Sequence, residues 1–197
     1  MKVQEQFNPM SDLFVAQFAK PTQFEEINLR ALTPFQRALL VIDGTVTKFI
    51  ETYTLEPIEI VRLGQHTQAL SADHVWLEAP QGTEVVARQV ILRGKYSYIL
   101  YAYAVSLIVP ARLPDQIRQG LEVEGGALGR ILLSGQMETR REVLWYGRER
   151  LHPLPEPIQH LTDGEFLSRT YRIIAGGQPL MLINEKFPMD LDRPTFD

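Results

Sequence analysis

Cysteine is absent from the 197-residue chain, which excludes at once a disulfide framework, a Cys-ligated zinc, a thiol nucleophile and an iron–sulfur cluster. A chain without disulfides suits a reducing cytoplasm. Histidine is scarce: His66, His74, His152 and His160 lie in polar or Pro-rich segments, with neither the HxH nor the HExxH spacing that would hold a metal. No serine stands in a GxSxG elbow, no GxGxxG follows a strand, and Gly125-Gly126 is not followed by GK[ST]. Serine-based acyl transfer, dinucleotide binding and P-loop chemistry therefore lack their usual groups. Lysine and arginine never run longer than two and the formal net charge is -4, so no nucleic-acid surface is indicated. The longest apolar run, Tyr98 to Val109, is too short to cross a bilayer. The start MKVQEQFNPM lacks a basic region followed by an apolar stretch, so neither a secretory leader nor membrane insertion is expected.

What is present is an ordinary globular composition, 45% hydrophobic and 22% charged, enough for one domain with a real core. Residues 1–30 show no dominant period and are left unassigned. At Thr33-Pro34 a good N-cap precedes a proline suited to the first helical turn, with Phe35, Leu39 and Leu40 following at helical spacing. Asp43 is placed to cap a second helix carrying Val46, Phe49, Ile50 and Tyr53 on one side. From Glu56 the period changes to two, and Gly64 is expected to end that strand. Val85 to Arg93 and Tyr98 to Val109 read as a hairpin with apolar residues on both faces, hence central in a sheet. A short helix is expected over Asp115–Leu121, an apolar helical turn after Gly125-Gly126, a strand over Arg140–Gly147, and a surface loop over His152–Pro157.

The last hairpin carries the strongest anomaly. Thr170 to Ala175 and Leu180 to Phe187 flank Gly176-Gly177-Gln178-Pro179, which is hairpin-turn chemistry. Alternation then puts Met181, Ile183, Glu185 and Phe187 on one face, three large apolar groups and a carboxylate. With a two- or four-residue loop, Arg172 shares that face. Arg88, between Val86, Val90 and Leu92, repeats the anomaly with opposite sign. For Glu185 a structural salt bridge, or an edge strand with that end in water, is the ordinary explanation; for Arg88 a structural pairing with a buried acid accounts for the residue as readily as a binding site does. If both face one cavity, a small organic anion suits it, because guanidinium forks grip carboxylates and apolar walls hold a ring.

Asp43-Gly44-Thr45-Val46-Thr47-Lys48, the strand containing Arg88, Ala127-Leu128-Gly129-Arg130 and Pro179-Leu180-Met181-Leu182-Ile183-Asn184-Glu185 occur in an order that resembles the chorismate pyruvate-lyase family, in its divergent branch. The resemblance runs from about Leu32 to Pro188. It implies an α+β fold: one antiparallel sheet of about six strands, with helices on one side forming flaps over an internal ligand pocket. It also implies conversion of chorismate to 4-hydroxybenzoate and pyruvate with no metal or cofactor, the product serving quinone or phenolic-lipid synthesis. Carried over position by position, the ring-carboxylate arginine falls on Arg88, the glutamate near the opposite ring oxygen on Glu185, and the pocket leucine on Leu128. A methionine of the helical flap is replaced here by Val46, which is smaller and stiffer. Arg62 and Arg172 are the candidates for a second carboxylate contact. A competing reading, also carried by resemblance, is a non-catalytic effector-sensing domain that binds a small aromatic acid. A third is a lyase or isomerase acting on a related anion.

Overall fold

The structure is a computed structural model and describes residues 8–122 and 137–191. Among these residues seven strands form one antiparallel sheet: β1 (Phe24–Glu25), β2 (Ile58–Ala69), β3 (Glu84–Gly94), β4 (Leu100–Ile108), β5 (Arg140–Arg150), β6 (Glu165–Ala175) and β7 (Gln178–Pro188). Their spatial order is β1-β5-β6-β7-β4-β3-β2. The helices are α1 (Pro34–Val41), α2 (Val46–Thr54) and α3 (Asp115–Glu122). The α+β class expected from sequence is therefore the observed one, with the two-residue β1 as the strand beyond six.

Local chemistry explains where the helices begin. Thr33 and Gln36 form a reciprocal capping box: the Thr33 hydroxyl accepts from the Gln36 amide at 3.2 Å and the Gln36 side chain accepts from the Thr33 amide at 3.0 Å. Pro34 occupies the first helical position, where its missing N–H costs nothing. The expected cap of α2 at Asp43 is corrected. The backbone is extended at Ile42 and Thr45, so Thr45 is the N-cap and Asp43 lies in the connection before it.

Two β-bulges decide which side chains share a face. In β2, Arg62 pairs with Val90 and Gly64 with Gln89, so one extra residue is absorbed at the glycine. Pairing then continues to Ala69 opposite Glu84, and Gly64 bends the strand instead of ending it. In the β6–β7 hairpin, Ala175 pairs with Gln178 across a two-residue turn. Gly176 and Gly177 adopt φ of +56° and +78°, which side chains rarely tolerate. Beyond the turn, Ile174 pairs with Pro179 but Ile173 with Met181, so β7 carries one extra residue. That single step exchanges the faces of β6 relative to β7. Arg169, Tyr171 and Ile173 therefore share the face of Glu185, Ile183 and Met181, and Arg172 falls on the other, opposite Leu182.

The helices cover one face. Leu39 and Leu40 of α1 and Ile50 of α2 pack against Val90, Leu92, Leu167 and Phe187 at one end. At the other end Ile117 of α3 and Leu113 just before that helix pack on Ile108, Tyr171, Ile173 and Ile183. Connections cover the opposite face: Ile158 packs on Ile91, Tyr103 and Phe166, and Leu77 and Ala79 on Val85 and Val109. The face away from the helices also buries a polar tie, in which Glu149 of β5 accepts from Lys186 Nζ of β7 at 2.7 Å and from the Ser168 hydroxyl of β6 at 2.8 Å. Burial pulls the Lys186 ammonium below the ordinary lysine value, and the neighbouring Glu149 opposes that shift.

Candidate active site

Between the two apolar clusters on the helix-covered face lies a cavity of about 600 Å³, its open mouth included. Its floor is the sheet, with Val90, Ala104 and Ile183 as apolar wall, and its roof includes Thr45, Val46 and Thr47 at the start of α2. Three of the residues singled out in the sequence, Val46, Arg88 and Glu185, line it together. Local sequence could not join them, because they come from a helix and from two strands separated in the sheet by β4.

Arg88 is only 2% exposed, among the most deeply buried large side chains of the protein. Its Cα partner across β4 is Ser106, whose side chain is also buried and also lines the cavity. Burial depresses the Arg88 guanidinium below its usual range, and the neighbouring Arg62 charge depresses it further. An incoming carboxylate would relieve both effects. Arg62 itself lies on the same face, opposite Val90, but is not among the cavity-lining residues.

Glu185, 8% exposed, is held from two directions. Arg169 Nε donates to its Oε2 at 2.9 Å and the Tyr171 hydroxyl donates to its Oε1 at 3.0 Å. Arg169 is 1% exposed and its Nη1 also donates to the carbonyls of Ile42 at 2.9 Å and Leu40 at 3.2 Å. One guanidinium thus ties the carboxylate to the connection between α1 and α2. Burial, and after it the Glu185 charge, pushes the Tyr171 phenol well above the ordinary tyrosine range, so it stays protonated and donates. The structural ion pair weighed for Glu185 from sequence is present, and the same carboxylate lines the cavity.

Two other sequence candidates fall elsewhere. Arg172 is on the opposite face, paired to Glu142 at 2.5 Å and to Glu78 at 2.8 Å, so its expected sharing of the Glu185 face is corrected by the bulge at Leu180. Leu128 lies outside the described residues. Sequence reading passed over Arg141, Arg169 and Tyr171. Arg169, Tyr171 and Ile173 alternate as a strand face should, but only the bulge shows that this face meets Glu185. Arg141 looked like a charged lead-in to β5, and it lines the cavity.

The chain is similar to chorismate pyruvate-lyases of two mycobacteria. It is 28% identical to that of Mycobacterium leprae over 173 residues, covering 85% of this chain and 80% of the relative. It is 27% identical to that of Mycobacterium tuberculosis over 168 residues, covering 81% of this chain and 82% of the relative. The fold is also that of PhnF from Mycobacterium smegmatis, with a TM-score of 0.59 at 10% identity over 76% of this chain and 66% of that one. The effector domain of PhnF alone aligns with a TM-score of 0.58 at 11% identity, over 75% of this chain and 90% of that one. The model of the Rv2949c-like chorismate pyruvate-lyases matches residues 40–194, which include α2, every strand from β2 to β7 and the described cavity-lining side chains, and the chain belongs to that family.

Proposed function

We propose that the protein is a chorismate pyruvate-lyase that converts chorismate to 4-hydroxybenzoate and pyruvate. The observation that carries this reading is the meeting of a buried guanidinium, Arg88, and a doubly held carboxylate, Glu185, in one largely apolar cavity beneath α2. Chorismate has a ring carboxylate at one end, a hydroxyl at the other, and an enolpyruvyl ether on the carbon beside the hydroxyl. Arg88 grips the ring carboxylate through its fork. Glu185 accepts the hydroxyl hydrogen bond and sets which ring face and edge meet the α2 roof.

In the reaction the bond from the ring carbon to the ether oxygen breaks, and its electrons leave with enolpyruvate. The hydrogen on the hydroxyl-bearing carbon departs as a proton, its bonding pair completing the aromatic ring, and enolpyruvate takes up one proton to become pyruvate. Atoms and charge balance without a redox partner. Aromatisation supplies the driving force, so the protein's work is to select the reactive conformer and to face developing charge with groups already oriented. Arg169 and Tyr171 hold the Glu185 carboxylate in a fixed orientation, and Val46 with the start of α2 excludes water.

The test is incubation of purified protein with chorismate while following 4-hydroxybenzoate and pyruvate. Arg88→Ala and Glu185→Gln are each expected to lower kcat/KM by about 10- to 150-fold, since a hydrogen bond to a charged group is worth roughly 1.5–3 kcal/mol. Full activity in both variants would remove the assigned roles. The shared fold with the PhnF effector domain favours a second reading, ligand binding without chemistry. Tight 4-hydroxybenzoate binding with no turnover of chorismate would decide for it.

A further inference from the structure

We propose that Arg141 forms a second anion subsite in this cavity, so that the site is built for a dicarboxylate and not for a monocarboxylate. The inference rests on the function proposed above and adds the group that recognises the enolpyruvyl carboxylate. Among the described residues the cavity is lined by one carboxylate, Glu185, and two guanidiniums, Arg88 and Arg141. The carboxylate is already matched by Arg169, which does not line the cavity. Among the described residues the charged lining is thus two guanidiniums and one carboxylate that is held from outside the cavity, a balance that suits a ligand with two carboxylates.

The placement of the two cations is specific. Arg88 is on β3 and Arg141 on β5, with Glu185 on β7 between them and one strand intervening on each side. At the ordinary spacing between strands, each arginine backbone is displaced about 10 Å sideways from that of Glu185, one to either side. The Arg141 guanidinium lies 5.7 Å from the centre of the Tyr171 ring, and the hydroxyl of that ring is 3.0 Å from Glu185. The Arg141 backbone lies in the row of Ile173 and Met181, four residues along β7 from Glu185, and its side chain reaches Tyr171, so Arg141 borders Glu185 on the β5 flank and Arg88 borders it on the β3 flank. A ligand with its ring carboxylate on Arg88 and its hydroxyl at Glu185 places the neighbouring ether side chain at the Glu185 end, toward Arg141.

Arg141 also retains capacity for a ligand. Its Nη1 donates to the Asp43 carbonyl at 2.5 Å, but the Asp43 carboxylate is 3.8 Å away and exposed, which makes a loose pair. Its Nε is buried and has no hydrogen-bond partner among the described residues. A buried guanidinium N–H of this kind is costly until an acceptor arrives. By contrast, the sequence candidate Arg172 has two carboxylates bound already on the far face. Because Arg141 holds the Asp43 carbonyl, a carboxylate bound there would also contact the guanidinium that secures the connection leading into α2.

The experiment compares two probes by calorimetry: 4-hydroxybenzoate, with one carboxylate, and 3-(carboxymethoxy)-4-hydroxybenzoate, which adds a second at the ether position. The native protein is expected to bind the dicarboxylate at least about tenfold more tightly. Arg141→Gln should erase that preference while leaving the 4-hydroxybenzoate Kd within about twofold, and should raise the KM for chorismate by about tenfold or more. Unchanged 4-hydroxybenzoate affinity is also the check that the variant folds. Equal affinity of the native protein for both probes overturns the subsite without recourse to any variant. So does a preference that survives in Arg141→Gln. Turnover of chorismate combined with either result leaves the lyase reading standing and removes only Arg141 from it. If neither probe binds and chorismate is not consumed, the lyase reading fails and takes the subsite with it.

Discussion

Replacing Arg169 by methionine tests whether one buried guanidinium holds the site together. The side chain is 1% exposed and makes three described hydrogen bonds: Nε to Glu185 at 2.9 Å, and Nη1 to the Ile42 and Leu40 carbonyls at 2.9 and 3.2 Å. Methionine fills similar volume but donates nothing. It leaves Glu185 with the Tyr171 hydroxyl as its one described hydrogen-bond donor. Removing one partner of a buried ion pair costs about 3–5 kcal/mol, because the other charge is left uncompensated. For a protein of this size each kcal/mol shifts Tm by about 2–4 °C, so Arg169→Met should melt about 6–20 °C below the native protein by circular dichroism or calorimetry. The double variant Arg169→Met with Glu185→Gln removes the orphaned charge and should recover part of the loss, with a coupling energy of about 1–3 kcal/mol. A drop in Tm below about 2 °C in the single variant, or strict additivity in the double, would refute the claim that Arg169 is what allows Glu185 to stay buried.

Thr33→Ala removes the hydroxyl that accepts from the Gln36 amide at 3.2 Å and should cost about 1 kcal/mol of stability, read as a lower urea midpoint with an unchanged m-value. Burial, as the largest cause in each case, raises the phenols of Tyr101, Tyr103, Tyr146 and Tyr171 above the ordinary tyrosine value. A raised folded-state value means that the native protein keeps protons which the unfolded chain loses above about pH 10, so stability is intact below that pH and falls as pH rises past it. The urea midpoint should therefore decline steadily above about pH 10, and phenolate absorbance at that pH should be lower in the folded protein than in the urea-unfolded one. A flat midpoint across that range would contradict the burial of these rings. Together with the Arg88, Glu185 and Arg141 variants above, these measurements separate the stability of the fold from the chemistry of the cavity.

The sequence by itself determined what depends on near neighbours along the chain. Thr33-Pro34 starts a helix because its hydroxyl and its missing N–H act within one turn. Gly176-Gly177 closes a hairpin because both positions need positive φ, and the alternation in β7 puts Glu185 among apolar neighbours whatever lies across from it. Strand alternation brought forward Arg88 and Glu185 as charges among apolar neighbours, the family resemblance added Val46, and the cavity unites the three. Only the tertiary structure decided which arginines stand beside that carboxylate. One extra residue at Leu180 exchanges the faces of β6, bringing Arg169 and Tyr171 to Glu185 and sending Arg172 to Glu142 and Glu78. The strand order then sets Arg88 and Arg141 on opposite flanks of β7. A bulge is a one-residue event with little local signature, yet a sheet's period of two turns it into a change of face for every side chain that follows. That is why the carboxylate could be found in the chain, while the guanidinium that holds it had to be found in the fold.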